Sequence, residues 1–299
     1  MFGKFFGSKK PAAHRPAVSQ APRGGKRVNL QKRFSGLTET SQGSMSRVYR
    51  ALDLETGRTV CLKVQDAVKT AAAHARSGIG ERIPEGEVGA SIVHENVVRT
   101  YDYGYSTKGE YFITMEFIEG VSLNFIRESR GLKLKEKVEL LAQAADGLAA
   151  VHAAEYIHRD FGPKNLLINR EMHLKLIDFG LAVPNTPLFR RPGNRTGTLA
   201  YMAPELVRRE ATDERIDIFA FGVTAFEFLT GRQPYDVKAT DAMAVMRSRI
   251  NAAPTKLERV DATLPPALCE VINRTLEKRA IDRWPAASTL GEALRESVG

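Results

Sequence analysis

The texture of this sequence changes at Gly120, and that change constrains the fold more than any single residue does. From about residue 34 to 119, short β-branched and aromatic runs such as "RVYRALDLETGRTVCLKV", "VVRTYDYG" and "YFITMEFI" alternate with turn residues, as at Glu55-Thr56-Gly57. That is the pattern of a mostly antiparallel sheet. One helical region, roughly 68 to 92, interrupts the strands and is shortened by Gly78, Gly80 and Pro84. After Gly120, Leu134, Val138, Leu141, Ala145 and Leu148 recur at spacings of three and four, the apolar face of a helix running toward His152. Further helices fit residues 214 to 230, 241 to 250, 265 to 278 and 286 to 297, and no internal repeat is visible. At 299 residues the chain is long enough for two lobes with separate cores. The expected class is α+β, a small antiparallel-sheet lobe with one helix followed by a larger, mainly helical lobe.

The net charge of +9 suggests a nucleic-acid binder until it is located. Residues 1 to 35 hold nine lysines and arginines and no acidic residue, so the whole excess lies there and the rest of the chain is balanced. Specific nucleic-acid recognition is therefore not expected. With Pro11, Pro16, Pro22, Gly24 and Gly25, residues 1–33 read as a disordered basic arm. Its opening "MFGKFFGSKK" mixes phenylalanines with lysines, which suits either a solvated tail or contact with an anionic membrane surface or polyanion. No adequate signal-peptide core and no run near 18 apolar residues occurs. Two cysteines, Cys61 and Cys269, give no disulfide framework. A cytoplasmic protein, peripheral at the membrane if the arm binds there, is the expectation.

Chemistry concentrates in four short motifs. Lys63 lies in the apolar run "TVCLKV", 15 residues after Val48. A lysine held in a largely buried strand serves a phosphate or a carboxylate. His158, Arg159, Asp160 and Asn165 match H-R-D-x-x-x-x-N; Asp178, Phe179 and Gly180 match D-F-G thirteen residues after Asn165; Ala203, Pro204 and Glu205 match A-P-E. Each motif alone is weak. Their order and spacing behind a buried lysine are not accidental.

On these residues, and on "GSMSRVYRA", "MEFIEGVSL" and "RWPAASTL", the chain resembles the eukaryotic-like protein kinases, most of all the bacterial serine/threonine kinases, over about residues 34–299. The resemblance implies a kinase domain with an N-lobe at about 34–118 and a C-lobe at about 119–299, with ATP and Mg²⁺, or Mn²⁺ in its place, in the cleft. Asp160 is then the catalytic base that accepts the substrate hydroxyl proton. Asn165 and Asp178 are the metal ligands. Lys63 contacts the α- and β-phosphates, paired to a helix glutamate for which Glu85 fits the spacing, with Glu81 and Glu87 left open. Met115, the backbone of Glu116 and Ile118, and the side chains of Val48, Cys61 and Leu167 would hold the adenine. The implied partner is a protein substrate; a pseudokinase, binding nucleotide as a scaffold without transfer, is the alternative. Oligomeric state is not legible.

Two departures stand out. Ser41, Gly43 and Ser46 align with the three glycines of the phosphate loop, so only the middle glycine is kept. In "DFGPKN", Gly162 stands where serine/threonine kinases carry lysine, and Lys164 stands two residues later, from where its stem can bring an ammonium toward the γ-phosphate. "GTLAYMAPE" nevertheless has the serine/threonine form, with Thr198 expected near Asp160. Between D-F-G and A-P-E, Thr186 sits next to Pro187 and Thr198 is needed at the peptide site. Thr196 is left as the candidate for a regulatory phosphate bound by Arg159.

Overall fold

A computed structural model describes residues 27–42, 46–66, 83–128, 131–193, 195–235 and 241–299. One helical turn, α1 (Leu30–Arg33), is closed at its start by the Asn29 side chain and runs straight into β1 (Phe34–Gln42), β2 (Ser46–Asp53) and β3 (Arg58–Gln65). Helix α2 (Glu85–Ser91), β4 (Thr100–Tyr105) and β5 (Tyr111–Glu116) follow. The strands form one antiparallel sheet in the order β1-β2-β3-β5-β4. Side chains alternate across it. Val60 and Leu62 of β3 join Phe34, Ala51 and Phe112 in a small core on one face, which leaves Cys61 and Lys63 on the other, facing the helical lobe.

The sheet lobe takes in residues that the sequence reading places in the arm. Residues 27–33, assigned above to the disordered arm, are part of the sheet lobe. Val28 N donates to the Tyr105 carbonyl and Thr107 N to the Val28 carbonyl, both at 2.9 Å, while Val28 and Leu30 pack on the small core. Arg33 is 8% exposed, bonded to Asp53 at 3.0 Å and to Asp102, and lies over the Phe34 ring. Apolar residues and a doubly paired arginine outweigh the basic composition that made this stretch read as a tail. Residues 1–26 of the arm lie outside the described residues, as do 68–82 of the helical region read at 68–92, whose described part includes α2 with Pro84 at its N-cap.

The second lobe contains β6 (Gly120–Ser122), α3 (Leu123–Glu128), α4 (Leu134–Ala153), β7 (Tyr156–Ile157), β8 (Leu166–Asn169), β9 (Leu174–Leu176), β10 (Val183–Pro184), α5 (Pro204–Val207), α6 (Arg215–Thr230), α7 (Ala242–Asn251), α8 (Leu257–Val260), α9 (Pro266–Thr275) and α10 (Ala287–Glu296). Helix α6 is buried almost all round and is the centre of this lobe; a helix without a polar face must be covered on every side. Val138, Leu141, Ala145 and Leu148 of α4 pack in the same core, which also takes in Val88 of α2 and Ile92 just after it. The sheets β6-β8-β9 and β10-β7 frame the loops between them. Among the described residues no helix is long and apolar enough to cross a membrane.

Candidate active site

Lys63 is 14% exposed, with Nζ 2.7 Å from Glu85 Oε1 and 3.0 Å from Asp178 Oδ1. Of the three glutamates left open by the sequence, Glu85 is the one at the lysine; Glu87 is exposed on α2, and Glu81 lies outside the described residues. Gln65, two residues along the same face of β3, donates to Glu85 Oε2 at 2.9 Å. Burial pulls the Lys63 ammonium toward neutrality, but the carboxylates of Glu85 and Asp178 outweigh it and hold its pKa above the ordinary lysine value. Burial likewise works to raise the Asp178 carboxyl, and Lys63 brings it down to about 2. Both groups are charged at neutral pH.

The loop from His158 to Asn165 is fixed from below. Asp217, in the first turn of α6, accepts the backbone N–H of His158 and of Arg159, each at 2.8 Å, and lies 3.0 Å from His152 Nε2. This clamp offsets strain at Arg159 (φ 67°), whose left-handed backbone, shared by Asp178 (φ 66°), costs about 1–3 kcal/mol for a residue other than glycine. His158 is fully buried, edge-on to the Phe179 ring at 5.6 Å. Its Nδ1 accepts from Asp160 N at 3.3 Å and its Nε2 faces the Ile177 carbonyl at 3.3 Å. Both ring nitrogens are thus used in holding the loop.

Asp160 sits at the centre of a polar group. Its Oδ1 accepts from Thr198 Oγ1 at 2.7 Å and Thr198 N at 3.2 Å; its Oδ2 is 2.8 Å from Lys164 Nζ. Asn165 Nδ2 donates to the Asp160 carbonyl at 2.8 Å and to Oδ2 at 3.2 Å. Lys164 Nζ also reaches Thr198 Oγ1 at 3.3 Å, so the displaced lysine lies beside the carboxylate although the side chain is 57% exposed. Gly162 is extended, and a Cβ added there would lie 3.6 Å from the Tyr201 ring, an ordinary contact.

Facing this group across the cleft, Val48 pairs in register with Lys63, and Cys61 with Met115. Val48, Met115, Ile118 and Leu167 are half-buried, as is Cys61, whose thiol burial pushes up to about 11. The Glu116 amide donates to the Arg99 carbonyl at 2.8 Å and its carboxylate pairs with Lys175 at 2.9 Å, so its N–H is not free for a base. Ser41 pairs with Val48 and Ser46 with Gln65 at the ends of their strands, while Gly43 lies outside the described residues. A divalent ion fits the donor set. The Asn165 amide nitrogen and Asp178 Oδ1 are used as described, which leaves Asn165 Oδ1 and Asp178 Oδ2, the hard oxygens Mg²⁺ takes alongside phosphate and water.

Sequence reasoning missed that Lys63 bridges Glu85 to Asp178, and it gave Gln65 no role; Gln65 lies at the i+2 position on the same strand face, a signal that was present. Arg159 is buried and Thr196 half-buried, and both are partnered within the protein. Deeper in the lobe Arg283 makes a two-pronged pair with Glu205 at 2.7 and 2.8 Å, anchoring the A-P-E turn.

A five-stranded sheet over a helical lobe, with a lysine, two carboxylates and an asparagine converging in the cleft, defines the two-lobed α+β class of phosphoryl-transfer proteins. The chain belongs to the protein kinase domain family, whose profile matches residues 36–294. Among its curated relatives, the probable serine/threonine-protein kinase pknA2 of Bifidobacterium longum is 29% identical, over 88% of this chain and 35% of that protein. Serine/threonine-protein kinase pkn3 of Myxococcus xanthus is 30% identical, over 92% of this chain and 51% of that protein. Serine/threonine-protein kinase PknL of Mycobacterium tuberculosis is 32% identical, over 90% and 67%. The chain thus spans about a third to a half of the length of the first two.

Proposed function

We propose that this chain is a serine/threonine protein kinase that transfers the γ-phosphate of ATP to protein hydroxyls, with Mg²⁺, or Mn²⁺ in its place. The observation that carries this reading is the presence, on opposite walls of one cleft, of the charged Lys63–Glu85–Asp178 set and of Asp160 bonded to Thr198 and Lys164. Lys63 holds the α- and β-phosphates, kept cationic and oriented by Glu85. Asp160 accepts the proton of the attacking hydroxyl, its carboxylate aimed by Thr198 and Asn165. Lys164 neutralises charge beside it. Asn165 and Asp178 would hold the metal, which would supply positive charge against the phosphates. Such transfer demands positioning and electrostatics more than covalent chemistry.

The test is transfer of labelled phosphate from ATP to a protein acceptor, followed by acid hydrolysis of the product. Phosphoserine and phosphothreonine support the reading, whereas phosphotyrosine alone would overturn the substrate class. The scaffold alternative rests on Ser41 and Ser46 replacing two loop glycines, and it is favoured instead by an ATP-dependent thermal shift without transfer. For residues 1–26 the reading is electrostatic contact with an anionic surface, supported by composition alone. Their deletion should leave turnover unchanged and weaken binding to phosphatidylserine vesicles at low salt.

A further inference from the structure

The surface beside Thr198 carries arginines that none of the catalytic roles uses. Arg191, Arg195, Arg208, Arg209 and Arg247 are exposed, and among the described residues none of the five forms an ion pair. Arg195 donates instead to Met246 Sδ at 3.0 Å and Arg208 to the Ile250 carbonyl at 3.2 Å, which fastens both to α7. Two backbone bonds, Gly193 N to the Arg209 carbonyl at 2.8 Å and Thr212 N to the Arg190 carbonyl at 3.0 Å, join the segment before Thr196 to the turn after α5. Arg195 and Arg208 therefore lie along one face of α7, with the backbone of the segments that carry Arg191 and Arg209 joined beside it, and Arg195 stands three residues before Thr198, which bonds Asp160.

Carboxylates nearby do not balance them. Glu205 is spent on Arg283 inside the lobe. Glu227 of α6 takes the Tyr201 hydroxyl at 2.8 Å, Gln233 at 3.0 Å and Arg127, so it has little left with which to attract a basic residue. Asp213 and Glu214 are taken by Arg215 and Arg190, and among the described residues of these stretches Glu210 and the α7 N-cap Asp241 remain exposed, against five arginines. A run of surface arginines is ordinarily balanced by acids and merely solvated; one in which the arginines outnumber them, next to the point where an acceptor hydroxyl must sit, sets up a positive potential that concentrates anions. Guanidinium groups match carboxylate and phosphate oxygens with paired bonds.

We infer that the acceptor of this kinase is an acidic peptide, its hydroxyl flanked by aspartate or glutamate or by an already phosphorylated residue, which share one anionic oxygen chemistry. The inference rests on the protein-kinase reading above.

The test compares, with the full chain and ATP-Mg²⁺, four acceptor peptides of one alanine-rich background whose flanks are aspartate, phosphoserine, alanine or lysine. The aspartate or phosphoserine peptide should exceed the alanine peptide in kcat/KM by about tenfold, the order expected of one or two charge-assisted contacts. The advantage should shrink at high salt. A gain from aspartate assigns carboxylates, and a gain confined to phosphoserine assigns a pre-phosphorylated substrate. Arg195→Gln with Arg209→Gln should raise KM for the anionic peptide while leaving the alanine peptide and KM for ATP unchanged. Equal turnover of all four peptides overturns the inference but not the kinase reading, and no turnover of any peptide removes both. An equal fall on every peptide in the arginine variants would assign the arginines to a phosphate on the segment itself, and also overturns it.

Discussion

Gly89 of α2 lies so close to Thr100 of β4 that a Cβ built on it would stand 2.4 Å from Thr100 Oγ1 and 3.4 Å from Thr100 Cβ. One turn earlier, Gly86 meets Tyr103 in the same way, at 2.4 Å, and its N–H donates to the Tyr111 hydroxyl at 3.2 Å. The helix that carries Glu85 is thus seated by backbone against the sheet, with Phe179 3.5 Å from the same added atom. Gly89→Ala should lower kcat by about tenfold or more, because a small displacement of Glu85 misplaces Lys63. Alanine favours a helix over glycine by up to about 1 kcal/mol, so the loss cannot be assigned to a weaker helix. Adding Thr100→Ala removes the clashing oxygen and leaves an ordinary contact, so the double variant should recover most of the activity. Full activity in Gly89→Ala, or no recovery in the double variant, contradicts this seating.

Lys164 and Gly162 make a second, separable prediction. Lys164 Nζ lies 2.8 Å from Asp160, so Lys164→Ala should reduce turnover by about tenfold or more. Gly162→Ala should be tolerated, since the backbone is extended and the added atom has room. Gly162→Lys should be neutral or mildly helpful. Steady-state kinetics on the three variants check the pattern, which fails if Lys164→Ala matches the wild type.

The Cys61 thiol, raised to about 11 by burial, should stay protonated and react slowly at pH 8. Iodoacetamide labelling should therefore lag well behind that of a free thiol, whose pKa is roughly 8.5. ATP should slow it further. Rapid labelling unaffected by nucleotide would place the thiol away from the adenine position.

The expectation for Thr196 concerns control. A phosphate there brings about two negative charges, for which the kinase resemblance implies the Arg159 guanidinium as partner. Mass spectrometry after incubation with ATP should find Thr196 modified, and Thr196→Ala should lose activity several-fold. An unmodified Thr196 in a fully active enzyme excludes the switch.

Much of this was legible beforehand because the signals are local. Alternation in "TVCLKV" puts Cys61 and Lys63 on one strand face, and the three- and four-residue spacing from Leu134 to Leu148 marks the buried face of α4. What was not legible depends on contacts between distant segments. Composition made residues 27–33 look like a tail, and only the approach of Asp53 and Asp102 turns Arg33 into an anchor. In the same way, nothing in the sequence points to a role for Gly86 and Gly89, which appears only with β4 pressed against them. Tertiary packing decides such cases, and propensity does not.

The pairing around Lys63 also sets a pH dependence that bears on the central claim. The folded Asp178 pKa, about 2, lies below the ordinary aspartate value, so its stabilising contribution is complete above about pH 4 and is lost as pH falls toward 2. Between pH 6 and 8 both Asp178 and Lys63 stay charged, and activity lost in that range on substitution is chemical rather than a titration of this pair. The most direct measurement is therefore labelled phosphate transfer from ATP with Mg²⁺ at pH 7.5, wild type beside Asp178→Ala and Asp160→Asn, with folding of each checked by thermal melting. The account predicts steady transfer by the wild type and a loss of about a hundredfold or more in both folded variants; transfer at the wild-type rate by either, or none by the wild type, would contradict it.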